Sequence, residues 1–263
     1  MKFSKTVIQK RQNKILHFLE DNRSADVSSL AEWLGVSEIT IRRDLDFFVE
    51  KGLVERYYGG VRLIADDEKV DEGMSTVDDS DNAVKDAIAA RAADLINDKD
   101  VVFTNSSATA MRLLKCLKGK NVVVITNNAR AATVPRDPQV ELILTGGEVY
   151  GDKHSLIGEF ALNTLMKVRA TKCVIGVSGI SVRGGITSSV LQETAINQMM
   201  LRRCSGLKIV VADGSKIGAE RNFLSGNISD VSCLITDSTA DSDELDRLRT
   251  KGLDIIVINE TAD

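Results

Sequence analysis

The sequence predicts an α/β protein in two parts: an N-terminal winged helix-turn-helix, then a doubly wound, mainly parallel α/β domain. Three observations predict it. Seven short apolar runs, mostly β-branched and continuous, recur from Val101 onward, with helical stretches between several of them. Strands buried on both faces have this pattern. Before residue 49, two short helical patterns flank a glycine turn. Between these regions, residues 66–82 hold eight acids and one lysine, a composition that suits a solvated boundary. The boundaries drawn are 1–64 for the first module, 65–82 for the linker and 83–263 for the second domain.

In the first module, residues 6–21 carry Ile8, Ile15, Phe18 and Leu19 at helical spacing, and turn formers Asp21 to Ser24 follow. Ser28 or Ser29 can cap the next helix, and Ser29 with Glu32 fits a capping box. Trp33, the single tryptophan, is expected in the core with Leu30, Ala31 and Leu34. Gly35 supplies a positive-φ turn into Val36-Ser37, and Ser37 is a good N-cap. Ile41, Leu45 and Phe48 form an inward stripe, leaving Ile39, Thr40, Arg42, Arg43 and Asp46 facing out. Paired arginines, a threonine and a branched aliphatic suit readout of a DNA major groove. After Gly52, residues 53–56 and 61–64 bracket Tyr57-Tyr58-Gly59-Gly60, which predicts a hairpin wing with a glycine-rich tip. The candidate DNA contacts are therefore Ser37, Ile39, Thr40, Arg42, Arg43, Arg56, Tyr58, Gly59 and Gly60, with Arg62 adding charge.

In the second domain, a helix is expected over Val84–Ile96. The strand runs are 101–103, 122–125, 140–144, 174–177, 209–212, 233–235 and 255–258, and helices are expected over 108–117, 156–167, 193–204 and 243–250. Ligands of such sheets bind beyond the carboxyl ends of the strands. Polar and glycine-rich turns collect there: Asn105-Ser106-Ser107-Ala108-Thr109, Thr126-Asn127-Asn128, Thr145-Gly146-Gly147, Ser178-Gly179 with Gly184 to Thr187 downstream, and Asp213 to Lys216. Hydroxyls and free amides at helix starts make anion sites. A small phosphorylated polyol fits, with Lys216 as counter-charge and Asn105, Asn127, Glu193 and Asp213 on sugar hydroxyls. The full candidate set is Asn105, Ser106, Ser107, Thr109, Thr126, Asn127, Gly146, Gly147, Ser178, Gly179, Thr187, Glu193, Asp213 and Lys216.

Composition excludes several classes. No apolar run approaches the ~18 residues of a membrane span. The run from Ile15 to Leu19 is too short for a signal-peptide core, so a cytoplasmic location is expected. Cys116, Cys173, Cys204 and Cys233 are widely spaced, and His17 and His154 are isolated. No disulfide, metal site or cofactor is expected. The net charge is −4, but residues 1–62 hold 11 basic against 9 acidic residues, leaving 23 against 29 for the rest. A weakly basic front on an acidic body suits a DNA-binding module joined to something else.

The string V-S-x-x-T-I-R-R-D-L at Val36–Leu45, then G-L-V-x-R at Gly52–Arg56 and the Gly59-Gly60 pair, resembles the DeoR family of bacterial transcription regulators. Over the second domain, T-N at Thr126–Asn127, G-G at Gly146–Gly147 and A-D-x-S-K at Ala212–Lys216 match that family too. The resemblance covers essentially the whole chain. It implies that Thr40, Arg42 and Arg43 meet DNA. It also implies a C-terminal domain similar to ribose-5-phosphate isomerase and glucosamine-6-phosphate deaminase that senses sugar phosphates. Relatives read D-x-G-[ST]-T where this chain has Asn105 to Thr109. Relatives also carry an aromatic and an arginine in the linker, and this chain has neither there.

The leading reading is a repressor of a carbohydrate operon, binding double-stranded operator DNA as a homodimer or homotetramer under a sugar-phosphate effector. The alternative is a sugar-phosphate isomerase or deaminase fused to a DNA-binding arm, with Glu193 as the base and Lys216 holding substrate. A third reading is an oligomeric scaffold without an effector.

Overall fold

The computed structural model describes residues 24–50, 54–57, 60–63, 79–151 and 153–258, with residues 11, 12, 14, 15, 18 and 19 before them. The chain divides into two compact units, Met1–Val77 and Asp78–Asp263.

In the first unit the described residues from 11 to 19 are helical. Strand β1 (Ser24–Asp26), helices α1 (Val27–Leu34) and α2 (Glu38–Glu50), and strands β2 (Val54–Tyr57) and β3 (Gly60–Leu63) follow. The strands form an antiparallel sheet in the order β1-β3-β2. Ile15, Leu19, Leu30, Ile41, Leu45, Phe48, Val54 and Val61 build one core from the helices and the sheet. The turn between α1 and α2 follows from Gly35. Its φ of 63° lets the Gly35 amide reach Glu32 O at 3.2 Å and the Val36 amide reach Ala31 O at 3.0 Å. That pair of bonds is a Schellman ending.

Three expectations for this unit are corrected. Ser24 belongs to strand β1, not to a turn, because Ser24, Ala25 and Asp26 pair with Arg62, Val61 and Gly60 far along the chain. The Ser29–Glu32 capping box does not form, because α1 begins at Val27 and both residues lie inside it. Asp26 takes the cap position, and its carboxylate accepts from Tyr57 Oη at 3.2 Å instead of from the helix. Trp33 is 52% exposed, not core, since Leu30 and Ala31 take the inward positions. Its ring sits 5.1 Å from that of Phe18.

The second unit runs α3 (Asp79–Asp94), β4 (Val101–Thr104), α4 (Ala108–Met111), α5 (Leu113–Cys116), β5 (Val122–Thr126) and β6 (Val140–Leu144). A hairpin, β7 (Glu148–Tyr150) and β8 (Ser155–Ile157), leads to α6 (Gly158–Lys167) and β9 (Ala170–Gly176). Then come β10 (Gly179–Ser181), β11 (Gly185–Ser188), α7 (Leu191–Arg203), β12 (Cys204–Val211) and β13 (Phe223–Gly226). β14 (Cys233–Asp237), α8 (Ser242–Thr250) and β15 (Asp254–Ile258) close the unit. Seven strands form one sheet in the order β15-β14-β12-β9-β4-β5-β6, every neighbouring pair parallel.

Adjacent residues of each strand point to opposite faces, and both faces are covered. Phe103, Cys173, Ile175, Val210 and Leu234 pack with α6, α7 and α8. Val102, Val174, Ile209, Val211 and Ile235 pack with α3, α4 and α5. This double burial is why the five inner strands read as continuous apolar runs. The helix expected over Val84–Ile96 starts earlier, at Asp79, inside the stretch drawn as linker; residues 65–78 of that stretch lie outside the described residues. The helix expected over 108–117 is interrupted at Arg112, whose guanidinium bonds Asp86 Oδ1 and Asn82 Oδ1 of α3. β10 and β11 occupy segments read as loops, β8 overlaps the expected start of a helix, and β7 and β13 fall on residues given no element from sequence. No helix among the described residues is long and apolar enough to cross a membrane.

Candidate functional site

The first site is the outward face of α2. Ser37 caps the helix, its Oγ accepting from the Thr40 amide at 3.3 Å and lying 2.9 Å from Thr40 Oγ1. Both hydroxyls are therefore tied to the helix start. Ile39 is 67% exposed, and Arg42 and Arg43 project to solvent beside it. Arg42 is paired with Glu38, and Arg56 of β2 with Asp46 of α2. Arg43 has no partner among the described residues. α2 is fixed from behind by Asp44, 3% exposed, which accepts from Arg11 Nε at 2.6 Å and Gln12 Nε2 at 3.2 Å. That buried pair ties the preceding helical stretch to α2. Its sequence signal was Asp44 standing on the inward side, one residue from Leu45.

Tyr58 and Gly59 of the expected wing tip lie outside the described residues. Gly60 flanks the tip as the first residue of β3. It is buried in β3 opposite Asp26 and Tyr57, and a Cβ there would stand 2.4 Å from Ala25 O and 2.7 Å from Tyr57 Oη. Close packing of β1 against β3 accounts for this glycine.

The second site is the carboxyl edge of the seven-stranded sheet. The loops after β4, β5, β6, β9, β12 and β14 all leave from that edge, because the strands are parallel. Its centre is a buried polar cluster. Ser155 of β8, fully buried, places its hydroxyl 2.7 Å from both Ser106 Oγ and Glu193 Oε1. Ser106 Oγ is 3.4 Å from the same carboxylate oxygen. Glu193 sits in the first turn of α7, where the helix dipole favours a negative charge. Asn127, 1% exposed, donates to Leu156 O, while its Oδ1 has no partner among the described residues. A buried acceptor left open in this way favours a donor from outside the protein.

Other expected contacts are held by the protein itself. Asn105 Nδ2 donates to Gly176 O at 2.8 Å and Asn197 Oδ1 at 3.0 Å, and its Oδ1 accepts from the amides of Gly176 and Ser107. That exhausts a carboxamide, so Asn105 ties β4 to β9 and α7 and has no capacity for a sugar hydroxyl. Ser107 Oγ caps α4 and lies against Gly176, where a Cβ would stand 1.9 Å from it. Thr126 Oγ1 accepts from the Asn128 amide. Thr187 Oγ1 donates to Gly179 O and accepts from the Arg221 amide. Gly179 is packed against Ala219 O, and the Ser178 carbonyl accepts from Arg221 Nε.

Gly146 and Gly147 both have positive φ; a Cβ on Gly146 would meet open space, whereas one on Gly147 would strike Ile157 O. Thr109 is buried on the short helix α4. Asp213 Oδ1 accepts from Ser215, and half-buried Lys216 follows in the same turn. Ser106, Thr109, Asn127, Ser178, Glu193, Gly146, Asp213 and Lys216 are the expected residues left with room or hydrogen-bonding capacity among the described residues.

Sequence reasoning missed Ser155, Asn197 and Asp237, and named Asn128 in its turn without placing it in the candidate set. Asn197 was within reach, one turn after Glu193 on α7. Ser155 carries no pattern, since it follows a turn and its partners come from the β4–α4 loop and α7. Asn128 is 2% exposed and donates to Met111 Sδ at 3.1 Å. Asp237, 1% exposed, accepts from Gly214 N at 2.6 Å and from the Thr239 amide and hydroxyl. Burial pushes its carboxyl up, but these hydrogen bonds outweigh burial and hold it below the usual carboxylate value. Among the described residues no group of His, Cys, Asp and Glu could hold a metal ion.

Comparison with known proteins gives relatives along nearly the full length. The HTH-type transcriptional regulator GolR of Listeria innocua is 29% identical, over 93% of this chain and 96% of the relative. The putative aga operon transcriptional repressor of Escherichia coli O157:H7 is 28% identical, over 97% and 96%. The HTH-type transcriptional repressor GlcR of Bacillus subtilis is 28% identical, over 96% and 97%. Among solved structures, the full-length sorbitol operon regulator SorC from Klebsiella pneumoniae is 14% identical with a TM-score of 0.40, over 92% of this chain and 98% of that one. Ribose 5-phosphate isomerase A from Methanocaldococcus jannaschii is 14% identical with a TM-score of 0.38, over 52% and 54%. These two scores are too low to carry an argument about function. Residues 11–67 match the DeoR-like helix-turn-helix domain and residues 80–238 match the DeoR C-terminal sensor domain, so the chain belongs to the DeoR family of DNA-binding transcriptional regulators.

Proposed function

We propose that this regulator represses a carbohydrate-catabolic operon and is released from, or recruited to, its operator by a phosphorylated sugar. The observation that carries the DNA half is the exposed Ile39–Arg43 stripe on a capped, rigidly backed α2. Arg43 can fork to a guanine, Ile39 can meet a thymine methyl, and Thr40 and the wing arginine Arg56 can position phosphates. A two-fold operator calls for at least a dimer, so a homodimer or homotetramer in the cytoplasm is part of the reading. The names of the relatives, two of them repressors, support the sign of regulation.

For the effector half, Asn127 Oδ1 and Glu193 supply acceptors for sugar hydroxyls, and Lys216 with the Gly146 turn supplies the anion end. The test pairs two measurements on Arg43→Ala. A shift assay on DNA upstream of its own operon should show binding weakened by about 1–3 kcal/mol. The rise in melting temperature given by the stabilising sugar phosphate should be unchanged. Wild-type binding no tighter than to random duplex at the same salt would overturn the reading. The enzymic alternative draws on the same buried Glu193. Turnover of ribose 5-phosphate that vanishes in Glu193→Gln would favour it.

A further inference from the structure

The DNA-facing surface of the first unit carries acids among its arginines. Glu38, Arg42 and Asp46 recur at four-residue spacing and form one stripe along α2. Arg42 Nη2 lies 3.2 Å from Glu38 Oε2, and Arg56, reaching over from β2, is paired with Asp46. All four side chains are at least half exposed. Glu38 also serves the dipole of α2 from its first turn, but exposed pairs of this kind add little stability, so the fold does not require the pairing itself. Arg43, on the neighbouring stripe with Ile39, has no such partner among the described residues. The surface thus divides into a bare reading stripe and a neutralised one.

We propose that Glu38 and Asp46 are specificity-determining residues that keep Arg42 and Arg56 from gripping DNA of arbitrary sequence. The proposal rests on the DNA-reading function proposed above. Sequence-independent affinity comes from lysine and arginine contacts to phosphates, with release of counterions. A carboxylate beside each arginine cancels its charge and repels the phosphate it would meet. Like-charge contact of this sort weakens wrong partners more than right ones. On a cognate site, Arg43 and Ile39 fix the register, and Arg42 and Arg56 can exchange their weakly held carboxylates for phosphates. On other sequences nothing compensates for the repulsion.

The test uses the full chain, as wild type, Glu38→Gln, Asp46→Asn and the double variant Glu38→Gln with Arg42→Gln. The probes are a duplex selected from random-sequence DNA by the wild type and a scrambled duplex of equal length, titrated across a range of salt. Each single variant should bind the scrambled duplex about fivefold tighter. Its log–log salt slope should steepen by about 0.9 for each additional phosphate that a freed arginine neutralises. Affinity for the selected duplex should change less, so the ratio of the two falls. In the double variant, scrambled-duplex affinity should return to the wild-type level, because the pair carries no net charge in either protein.

Scrambled-duplex affinity that is unchanged or weaker in both single variants overturns the proposal. So does loss of selected-duplex binding without tighter binding to the scrambled one, which would make the carboxylates base readers. A wild type that binds both duplexes equally overturns the DNA-reading function itself. A discriminating wild type with unchanged variants overturns only the shielding role.

Discussion

At Asp237 a single carboxylate closes the turn after β14 by accepting from Gly214 N and from the amide and hydroxyl of Thr239. Burial pushes its proton affinity up and the three donors pull it further down, so the folded protein holds it below its ordinary value. A group depressed in this way stabilises the fold above its unfolded pKa, about 3.9, and loses that contribution as pH falls through the folded value. Asp237→Asn turns an amide group toward those donors. It should lower stability near neutrality by about 2 kcal/mol. The gap between wild type and variant should narrow as the pH drops into the acid range, measured by urea unfolding at each pH. A constant gap would mean that shape, not charge, sets the effect. Neither Asp237 nor Ser155 was legible in the sequence, because their partners come from separate loops gathered only by the sheet. Asn105 was read as a sugar contact and not as a tie, since only the structure brings Gly176 and Asn197 to its carboxamide.

Elements whose burial is set by local pattern were legible, and those set by distant pairing were not. The five inner strands of the large sheet announce themselves because both faces are buried, giving runs such as Val122–Ile125. Strand β1, Ser-Ala-Asp, has no strand propensity and exists because β3 supplies its ladder. β10 and β11 are glycine- and serine-rich, so they looked like ligand loops, and β13 carries no strand pattern of its own. Two glycines of the first unit separate the same principles energetically. Gly35 needs its left-handed backbone, φ 63°, but a Cβ there would meet nothing within 4 Å. Gly35→Ala should therefore cost only the backbone penalty, about 1 kcal/mol. Gly60→Ala would drive a methyl into Ala25 O and the Tyr57 ring, pushing β1 from β3, and should cost about 2–3 kcal/mol. Urea unfolding of the full chain checks the order. A larger loss at Gly35 would show that the sheet yields more easily than the turn.

For the whole molecule, two units carry two functions, and a regulator requires that one bias the other. Whatever the path between them, the coupling is a free energy and must be reciprocal. If a sugar phosphate changes operator affinity by some factor, saturating operator must change affinity for that sugar phosphate by the same factor. Typical couplings of about 1–3 kcal/mol correspond to roughly 5- to 150-fold. The sugar phosphate to use is the one that raises the melting temperature most, since a ligand that binds only the folded state stabilises by mass action. Four titrations close the cycle: DNA with and without effector, and effector with and without DNA, all at one salt concentration. Asn127→Ala removes a buried acceptor at the sheet edge, far in sequence from α2, and should weaken the effector leg while leaving DNA affinity without effector unchanged. Equal factors in wild type, with the coupling lost at matched effector concentration in Asn127→Ala, make the sheet edge the input of the switch. Unequal factors would mean that the sugar phosphate acts through a further binding event and that the two sites are not one linked equilibrium.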